Sequence, residues 1–245
     1  MKRLFLAALT LAGAASSAAD ITVLSTTGLS STLDQLKETF ETRSGDRLLV
    51  TYGTTGQLKK QIDDGAPFDL CLLTAPMLDE LIKTGKVAAP RRDIARSGVG
   101  VSIKKGAPKP DISTADAFKQ TILAAKSLAY TSTGASGTYF LALADRLGIG
   151  EAVRAKSHIV PGGPAGELVA KGEAELAVQM VSELLPVAGT ELVGPLPPDL
   201  QSITTFSAGI GGSAHNPTGA RALADYLASP DAIAVIRAKG MDPGL

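Results

Sequence analysis

Residues 20–45 read DITVLSTTGLSSTLDQLKETFETRSG, and this stretch decides the fold class. The short apolar run Ile21–Leu24 is followed by small polar residues, which is typical of a buried β-strand and the loop after it. Apolar residues then recur at helical spacing from Leu29 to Phe40 and stop at Gly45, which indicates an amphipathic helix. The order strand, polar loop, helix predicts one unit of an α/β fold.

The same order repeats along the rest of the chain, so we predict an α/β protein with a parallel-rich sheet in each of two lobes. One lobe is expected to comprise residues 20–97 plus 203–245, and the other residues 98–202. The predicted strands after the first are Leu48–Tyr52, Phe68–Leu73, Gly98–Ile103, Ser127–Tyr130, His158–Val160, Leu176–Gln179 and Ser202–Ala208.

Residues 1–19 have the features of a secretory signal peptide. Lys2 and Arg3 precede the apolar run Leu4–Ala12, and the small residues Ser17-Ala18-Ala19 form a cleavage pattern before Asp20. We therefore expect an exported, periplasmic protein that is not inserted in the membrane after cleavage. Cys71 lies in an apolar run and is expected to be a core residue.

The composition excludes several classes of partner. The 245 residues contain 24 basic and 24 acidic side chains, and removal of Lys2 and Arg3 leaves 22 basic residues. Nucleic-acid binding needs a basic surface and stacking needs aromatic rings, but aromatic residues make up only 4% of the chain. We therefore expect no nucleic-acid partner. Two histidines and one cysteine have no metal-ligand spacing, so we also expect no metal and no cofactor.

Small polar loops follow three of the predicted strands and open the next helices. They are Ser25–Gly28, Thr54–Gly56 and Ser132–Gly137. In open α/β sheets ligands bind at the carboxyl ends of strands, where helix N-termini present unpaired N–H groups to anions. Ser, Thr and Gly are also ordinary residues of such loops and N-caps. Together the three loops favour a small anion held by neutral donors.

Three segments, 20–24, 54–58 and 61–70, resemble the periplasmic molybdate-binding protein family, a branch of the type II extracellular solute-binding proteins. The resemblance extends over nearly all of the chain after residue 19. It implies two α/β lobes joined by crossing strands, a cleft that closes on an oxyanion, and delivery of the ligand to an ABC permease. We expect a monomer.

The resemblance also implies which residues line the cleft. The family's first-loop serine falls at Gly28, its second-loop serine at Thr55 and its tyrosine at Met180, whose thioether cannot donate a hydrogen bond. Gly28 and Met180 therefore depart from the family's molybdate pocket. The expected ligand-binding residues are Thr27, Gly28, Thr54, Thr55, Ser136, Gly137, Gly163 and Met180.

Segments in the C-terminal half resemble a subgroup of this family that includes bacterial aconitate isomerase. They are Gly106–Thr114, Ala124–Ser127, Glu183–Val187 and Ile236–Met241. This subgroup implies a carboxylate ligand and an acid–base group that moves a proton. The candidate bases are His158, Asp69 and Glu167. The favoured function is a solute-binding protein for a small oxyanion or carboxylate, and the alternative is an aconitate-isomerase-like enzyme that uses the same cleft.

Overall fold

A computed structural model describes residues 18–244, so the predicted signal peptide lies mostly outside the described residues. The elements before the chain midpoint are β1 (Asp20–Thr26), a 3-10 turn (Thr27–Leu29), α1 (Ser30–Ser44), β2 (Arg47–Gly53), α2 (Thr55–Asp63), β3 (Leu70–Thr74), α3 (Ala75–Lys83), β4 (Val87–Lys104) and α4 (Ala115–Ala124).

The second half begins with β5 (Leu128–Thr131), α5 (Ala135–Arg146), α6 (Gly150–Ala155), β6 (Ser157–Val160), α7 (Gly166–Lys171), β7 (Leu176–Met180), α8 (Val181–Leu184) and β8 (Thr190–Pro195). It ends with a second 3-10 turn (Pro198–Leu200), β9 (Ile203–Gly211), α9 (Pro217–Leu227), α10 (Pro230–Ala238) and β10 (Asp242–Pro243). No helix of residues 18–244 is long and apolar enough to cross a membrane.

The strands form two parallel groups that are joined by antiparallel strands. The order along the sheet is β2-β1-β3-β9-β4-β7-β5-β6, and β8 and β10 also pair with β4. β1 is parallel to β2 and β3, and β5 is parallel to β6 and β7. The α/β class is confirmed, but β9 and β4 run antiparallel to their neighbours, so the sheet is mixed rather than simply parallel.

The strand β4 spans both groups. Its residues Val87–Gly98 pair with β9, and Val99–Ile103 pair with β7. The sequence prediction placed the start of this strand at Gly98 and was wrong by eleven residues. Pro90 and four charged residues conceal the first half of β4, because neither a proline nor a charged run indicates a buried strand.

The charges of β4 are satisfied at the surface. Arg91 pairs with Asp79 and Asp93, and Arg92 pairs with Asp225. The next half of the strand contributes Val99, Val101 and Ile103 to the apolar core, all almost fully buried. Because β4 and β9 carry the chain between the two groups of strands, they fix how the carboxyl ends of β1 and β7 face each other.

Candidate functional site

A small cavity lies between the two groups of strands, at the carboxyl ends of β1 and β7. Its volume in this closed arrangement is about 10 Å³, room for about one water molecule. Residues from three strands, three loops that begin helices and the helix α8 enclose it, namely Thr26, Thr27, Gly28, Thr54, Thr55, Gly134, Ala135, Met180, Glu183 and Phe206. Five of the eight predicted ligand-binding residues line this one cavity, which are Thr27, Gly28, Thr54, Thr55 and Met180.

The first loop is placed by a glycine that packs on an aromatic ring. A side chain added at Gly28 would put its Cβ 2.6 Å from Cζ of Phe206, so only glycine lets the loop lie on this ring. Phe206 is buried on β9 and forms part of the cavity wall. The sequence prediction included Gly28 but missed Phe206, because the contact depends on the position of β9, two strands away from β1 in the sheet.

The second loop combines a helix cap with a contact across the cavity. Oγ1 of Thr54 accepts a hydrogen bond from the Gln57 N–H at 3.3 Å, and the Gln57 side chain accepts from the Thr54 N–H at 2.8 Å. This reciprocal capping box fixes the first turn of α2. Oγ1 of Thr54 also lies 3.1 Å from Oγ1 of Thr133, in the loop after β5.

A further contact closes the cavity on the same side. The Gln57 amide donates to the carbonyl of Pro161 at 3.3 Å, and the Thr133 hydroxyl also lies 3.4 Å from that carbonyl oxygen. The α2 end of the first strand group is thus hydrogen-bonded to two loops of the second group. The structure therefore shows the cavity in a closed arrangement.

The third loop reaches the cavity through Gly134 and Ala135 rather than through the residues predicted there. A Cβ on Gly137 would lie 1.5 Å from the carbonyl oxygen of Thr131, so this glycine permits α5 to pack against the end of β5. Ser136 is buried in the same turn and is not part of the cavity lining. No side chain in residues 18–244 caps the N-terminus of α5, which leaves its first N–H groups available to an anion.

Glu183 is the one titratable side chain among the cavity-lining residues, and the prediction of site residues did not include it. Its Oε1 accepts a hydrogen bond from the Thr27 hydroxyl at 2.7 Å. Burial raises the pKa of this carboxyl to about 7, although hydrogen bonds from Thr27, the Met180 backbone and Gln179 favour the ionised form. Glu183 follows Met180 by one helical turn, so an acid just after a buried strand is the signal that could have identified it.

Gly163 lies beside the cavity and not in its lining. Its backbone has a positive φ of 87°, which favours glycine, and its carbonyl accepts a hydrogen bond from the Gln179 amide at 3.0 Å. The same amide group accepts from the Ala165 N–H at 2.7 Å. Gln179 therefore shapes the loop after β6 from inside the sheet.

The three predicted bases lie outside the cavity lining. Asp69 is buried before β3, at the opposite end of that strand, and its carboxylate accepts from the N–H groups of Thr22 and Asn216, each at 2.8 Å. His158 is exposed on β6, at the edge of the sheet. Glu167 is exposed on α7, in a separate surface groove.

The structure also shows the surroundings of the cysteine and of the side chains that could bind a metal. Cys71 is buried in β3, and burial raises the pKa of its thiol far above the ordinary value. Among residues 18–244, no three His, Cys, Asp or Glu side chains lie together as metal ligands would. The cavity lining is therefore made of hydroxyls, backbone amides, apolar side chains and a single carboxyl.

Two groups of strands that share two crossing strands, with a closed cavity between their carboxyl ends, define a two-lobed type II binding-protein fold. The chain belongs to the family described as bacterial extracellular solute-binding protein, whose model matches residues 21–242.

Individual relatives point to two kinds of activity. The chain is 38% identical over 230 residues to an aconitate isomerase of a Pseudomonas species, covering 91% of this chain and 87% of that protein. It is 28% identical over 236 residues to the molybdate-binding protein ModA of Azotobacter vinelandii, covering 92% of this chain and 91% of ModA. A solved periplasmic molybdate-binding protein of A. vinelandii superposes with a TM-score of 0.77 at 20% identity, covering 90% of this chain and 98% of that one.

Proposed function

We propose that the two strand groups open at this cavity to admit a small polycarboxylate, and that the protein isomerises it by proton transfer, with aconitate as the substrate. The observation that carries this proposal is Glu183, a buried carboxyl group in the cavity lining. A general acid–base works best when its pKa lies near the working pH, and the pKa of Glu183 is about 7. The 38% identity to an aconitate isomerase supports the same reaction.

The chemistry is a shift of one proton and one double bond. The Glu183 carboxylate takes a proton from the methylene carbon of trans-aconitate, and the electron pair of that C–H bond forms a new double bond to the central carbon. The electrons of the former double bond take up a proton at the former vinyl carbon, which is returned by the glutamic acid. Atoms and charges balance, and the product is cis-aconitate when the new double bond has that geometry.

Neutral donors support the substrate carboxylates in this proposal. The uncapped first turn of α5 offers N–H groups beside Gly134 and Ala135, and the second loop offers the hydroxyl of Thr55. Negative charge that develops on the substrate during proton removal is stabilised by such fixed donors. The closed arrangement excludes water, which strengthens these interactions.

The test is direct detection of turnover. Purified protein is incubated with trans-aconitate, and the appearance of cis-aconitate is followed by proton NMR. Glu183→Gln keeps the shape of the side chain and removes its acid–base function, so we expect turnover to fall by at least about 10²-fold. Asp69→Asn and His158→Gln are the matched controls, and each should keep most of the turnover if it stays folded. Absence of turnover in the natural sequence would refute the isomerase proposal.

A second candidate is a periplasmic binding protein that passes a small anion to an ABC permease. The hydroxyl and backbone amide donors of the cavity and the family membership favour it. In this candidate the protein is a monomer whose lobes, residues 20–97 with 203–245 and residues 98–202, close on the ligand.

Thermal unfolding with molybdate, tungstate, sulfate, citrate and aconitate distinguishes the candidates. A ligand at about 100 times its Kd adds about 2.7 kcal/mol to the free energy of unfolding. Stabilisation by a ligand that is not converted supports the binding protein. Stabilisation by aconitate together with turnover supports the isomerase.

A further inference from the structure

The hydrogen bond between Thr27 and Glu183 joins opposite walls of the cavity. Thr27 follows β1, whose neighbours are β2 and β3, whereas Glu183 lies on α8 after β7, whose neighbours are β4 and β5. The two residues are 156 positions apart in the chain, and their oxygen atoms lie 2.7 Å apart. This contact exists because the two strand groups approach each other at this point.

The direction of the hydrogen bond decides what Thr27 can do. A threonine hydroxyl has one proton to donate, and here it is donated to Oε1 of Glu183. While this bond is present, Thr27 cannot donate to a bound anion. A hydrogen bond to a carboxylate favours the ionised form, which is the form that can accept a proton from carbon.

We propose that Thr27 is a positioning residue: it orients Glu183 across the closed cavity and favours the ionised carboxylate that starts the reaction. This inference rests on the proposed function. The sequence predicted that Thr27 contacts the ligand directly, and this inference gives Thr27 a different role. It also makes closure of the cavity a requirement for an active base, because the donor and the carboxylate come from opposite walls.

No other charged group on the elements that pack on α8 forms an ion pair with Glu183 among the described residues. The elements that pack on α8 are the first 3-10 turn, β4, β7 and β8, and Gly240 also lies against Val181. Among residues 18–244, none of the charged side chains on these elements forms an ion pair with Glu183. The charged side chains on these elements are Arg91, Arg92, Asp93, Arg96 and Lys104 on β4, Glu191 on β8, and Arg237 and Lys239 near Gly240.

The experiment measures the pKa of Glu183 directly, so that it does not depend on turnover. Side-chain carboxyl carbons are titrated by 13C NMR in the full-length mature protein, and the Glu183 signal is assigned by its loss in Glu183→Gln. Thr27→Val keeps the shape of the side chain and removes the donor. We expect the pKa of Glu183 to rise by about one unit in this variant.

Two control variants make the result specific. Thr27→Ser keeps the hydroxyl and should keep the pKa of the natural protein. Thr55→Val removes another hydroxyl from the cavity lining, one that does not bond to Glu183, and should leave that pKa unchanged. If the protein turns over aconitate, the acid limb of kcat/KM should move up by the same amount in Thr27→Val and return in Thr27→Ser.

The outcomes separate this inference from the proposed function. An unchanged pKa in Thr27→Val overturns the inference, whether or not the protein is an isomerase. A raised pKa with rescue by Thr27→Ser supports it. Turnover by the natural protein with an unshifted pH profile in Thr27→Val overturns the inference and leaves the isomerase proposal standing.

Discussion

At the scale of single residues, the cavity combines one carboxyl group with neutral donors. Glu183 is buried, and no cation in the lining neutralises it. Removal of water disfavours the charged form, which raises its pKa to about 7, and the Thr27 hydroxyl acts in the opposite direction. A group held between these two influences changes its protonation near neutral pH.

The raised pKa predicts a specific dependence of stability on pH. Between an unfolded-state pKa of about 4.3 and the folded-state value of about 7, the folded protein holds a proton that the unfolded chain releases. The stability that this neutral carboxyl contributes is fully present below the unfolded pKa and is lost as pH rises through the folded pKa.

Urea unfolding of the natural protein and Glu183→Gln measures this contribution, because the glutamine is neutral at every pH. Relative to Glu183→Gln, the natural protein should lose about 3 kcal/mol between about pH 4 and about pH 8. Other titrating groups cancel in the comparison. A difference that does not change with pH would show that Glu183 has an ordinary pKa in the folded protein.

At the scale of elements, helix N-termini define the cavity, and each is built differently. α2 begins with the capping box of Thr54 and Gln57, whereas α5 begins at Ala135, after Gly134, without a side-chain cap. The N-terminus of α2 is thus capped by its own residues, and Thr54 also contacts Thr133 across the cavity. The first N–H groups of α5 have no side-chain partner and are available to a ligand.

The double role of Thr54 is testable against a second cap. Thr114 caps α4 by accepting from the Ala117 N–H at 3.1 Å, and it is not part of the cavity. Thr54→Ala and Thr114→Ala should each lower the free energy of unfolding by about 1 kcal/mol.

Only Thr54→Ala should also weaken aconitate binding, by about two- to tenfold, because it loses a hydrogen bond at the cavity. Calorimetric titration of both variants measures this. Equal affinity in the two variants would mean that Thr54 acts as a helix cap alone.

At the scale of the whole molecule, β4 and β9 connect the two strand groups. Hydrogen bonds around the cavity also join the two groups. Gln57 donates to Pro161, Thr54 meets Thr133, and Thr27 donates to Glu183. We expect the connection through two strands to act as a hinge, and these contacts lie where such a hinge would open. Such an arrangement closes around a ligand by rotation of one lobe against the other.

Small-angle X-ray scattering tests this motion. The radius of gyration of the ligand-free protein should decrease when saturating aconitate is added. Glucose, a neutral molecule of comparable size, serves as the control and should leave the radius unchanged. An identical radius with and without aconitate, under conditions where binding is measured independently, would contradict closure by the ligand.

Local patterns were sufficient for the strands β1, β2 and β3 and for the loops after β1 and β2. The apolar run at residues 21–24 and the helical spacing up to Phe40 correspond to β1 and α1. Patterns were insufficient where an element depends on distant partners. The strand β8 and the first half of β4 are stabilised by pairing with β4 and β9, and the helix α6 is only six residues long, so none of these three has a clear periodic signal.

The site divides in the same way. Thr27, Gly28, Thr54 and Thr55 were predicted from polar loops that follow recognisable strands, and Met180 from the family resemblance. Glu183 and Phe206 were missed, although both line the cavity. Asp69 looked equally suitable as a base, but its carboxylate is occupied by two backbone N–H groups at the other end of the sheet.

The sequence by itself determined the α/β class and predicted the hydroxyl and glycine loops of the candidate site, because periodicity and polar loops are local properties of the chain. Only the tertiary structure decided which carboxyl group stands in that site. The burial of Glu183 and its bond to Thr27, 156 residues away, arise from the crossing of β4 and β9. A raised pKa depends on loss of water and on distant partners, and neither is encoded in the residues beside Glu183.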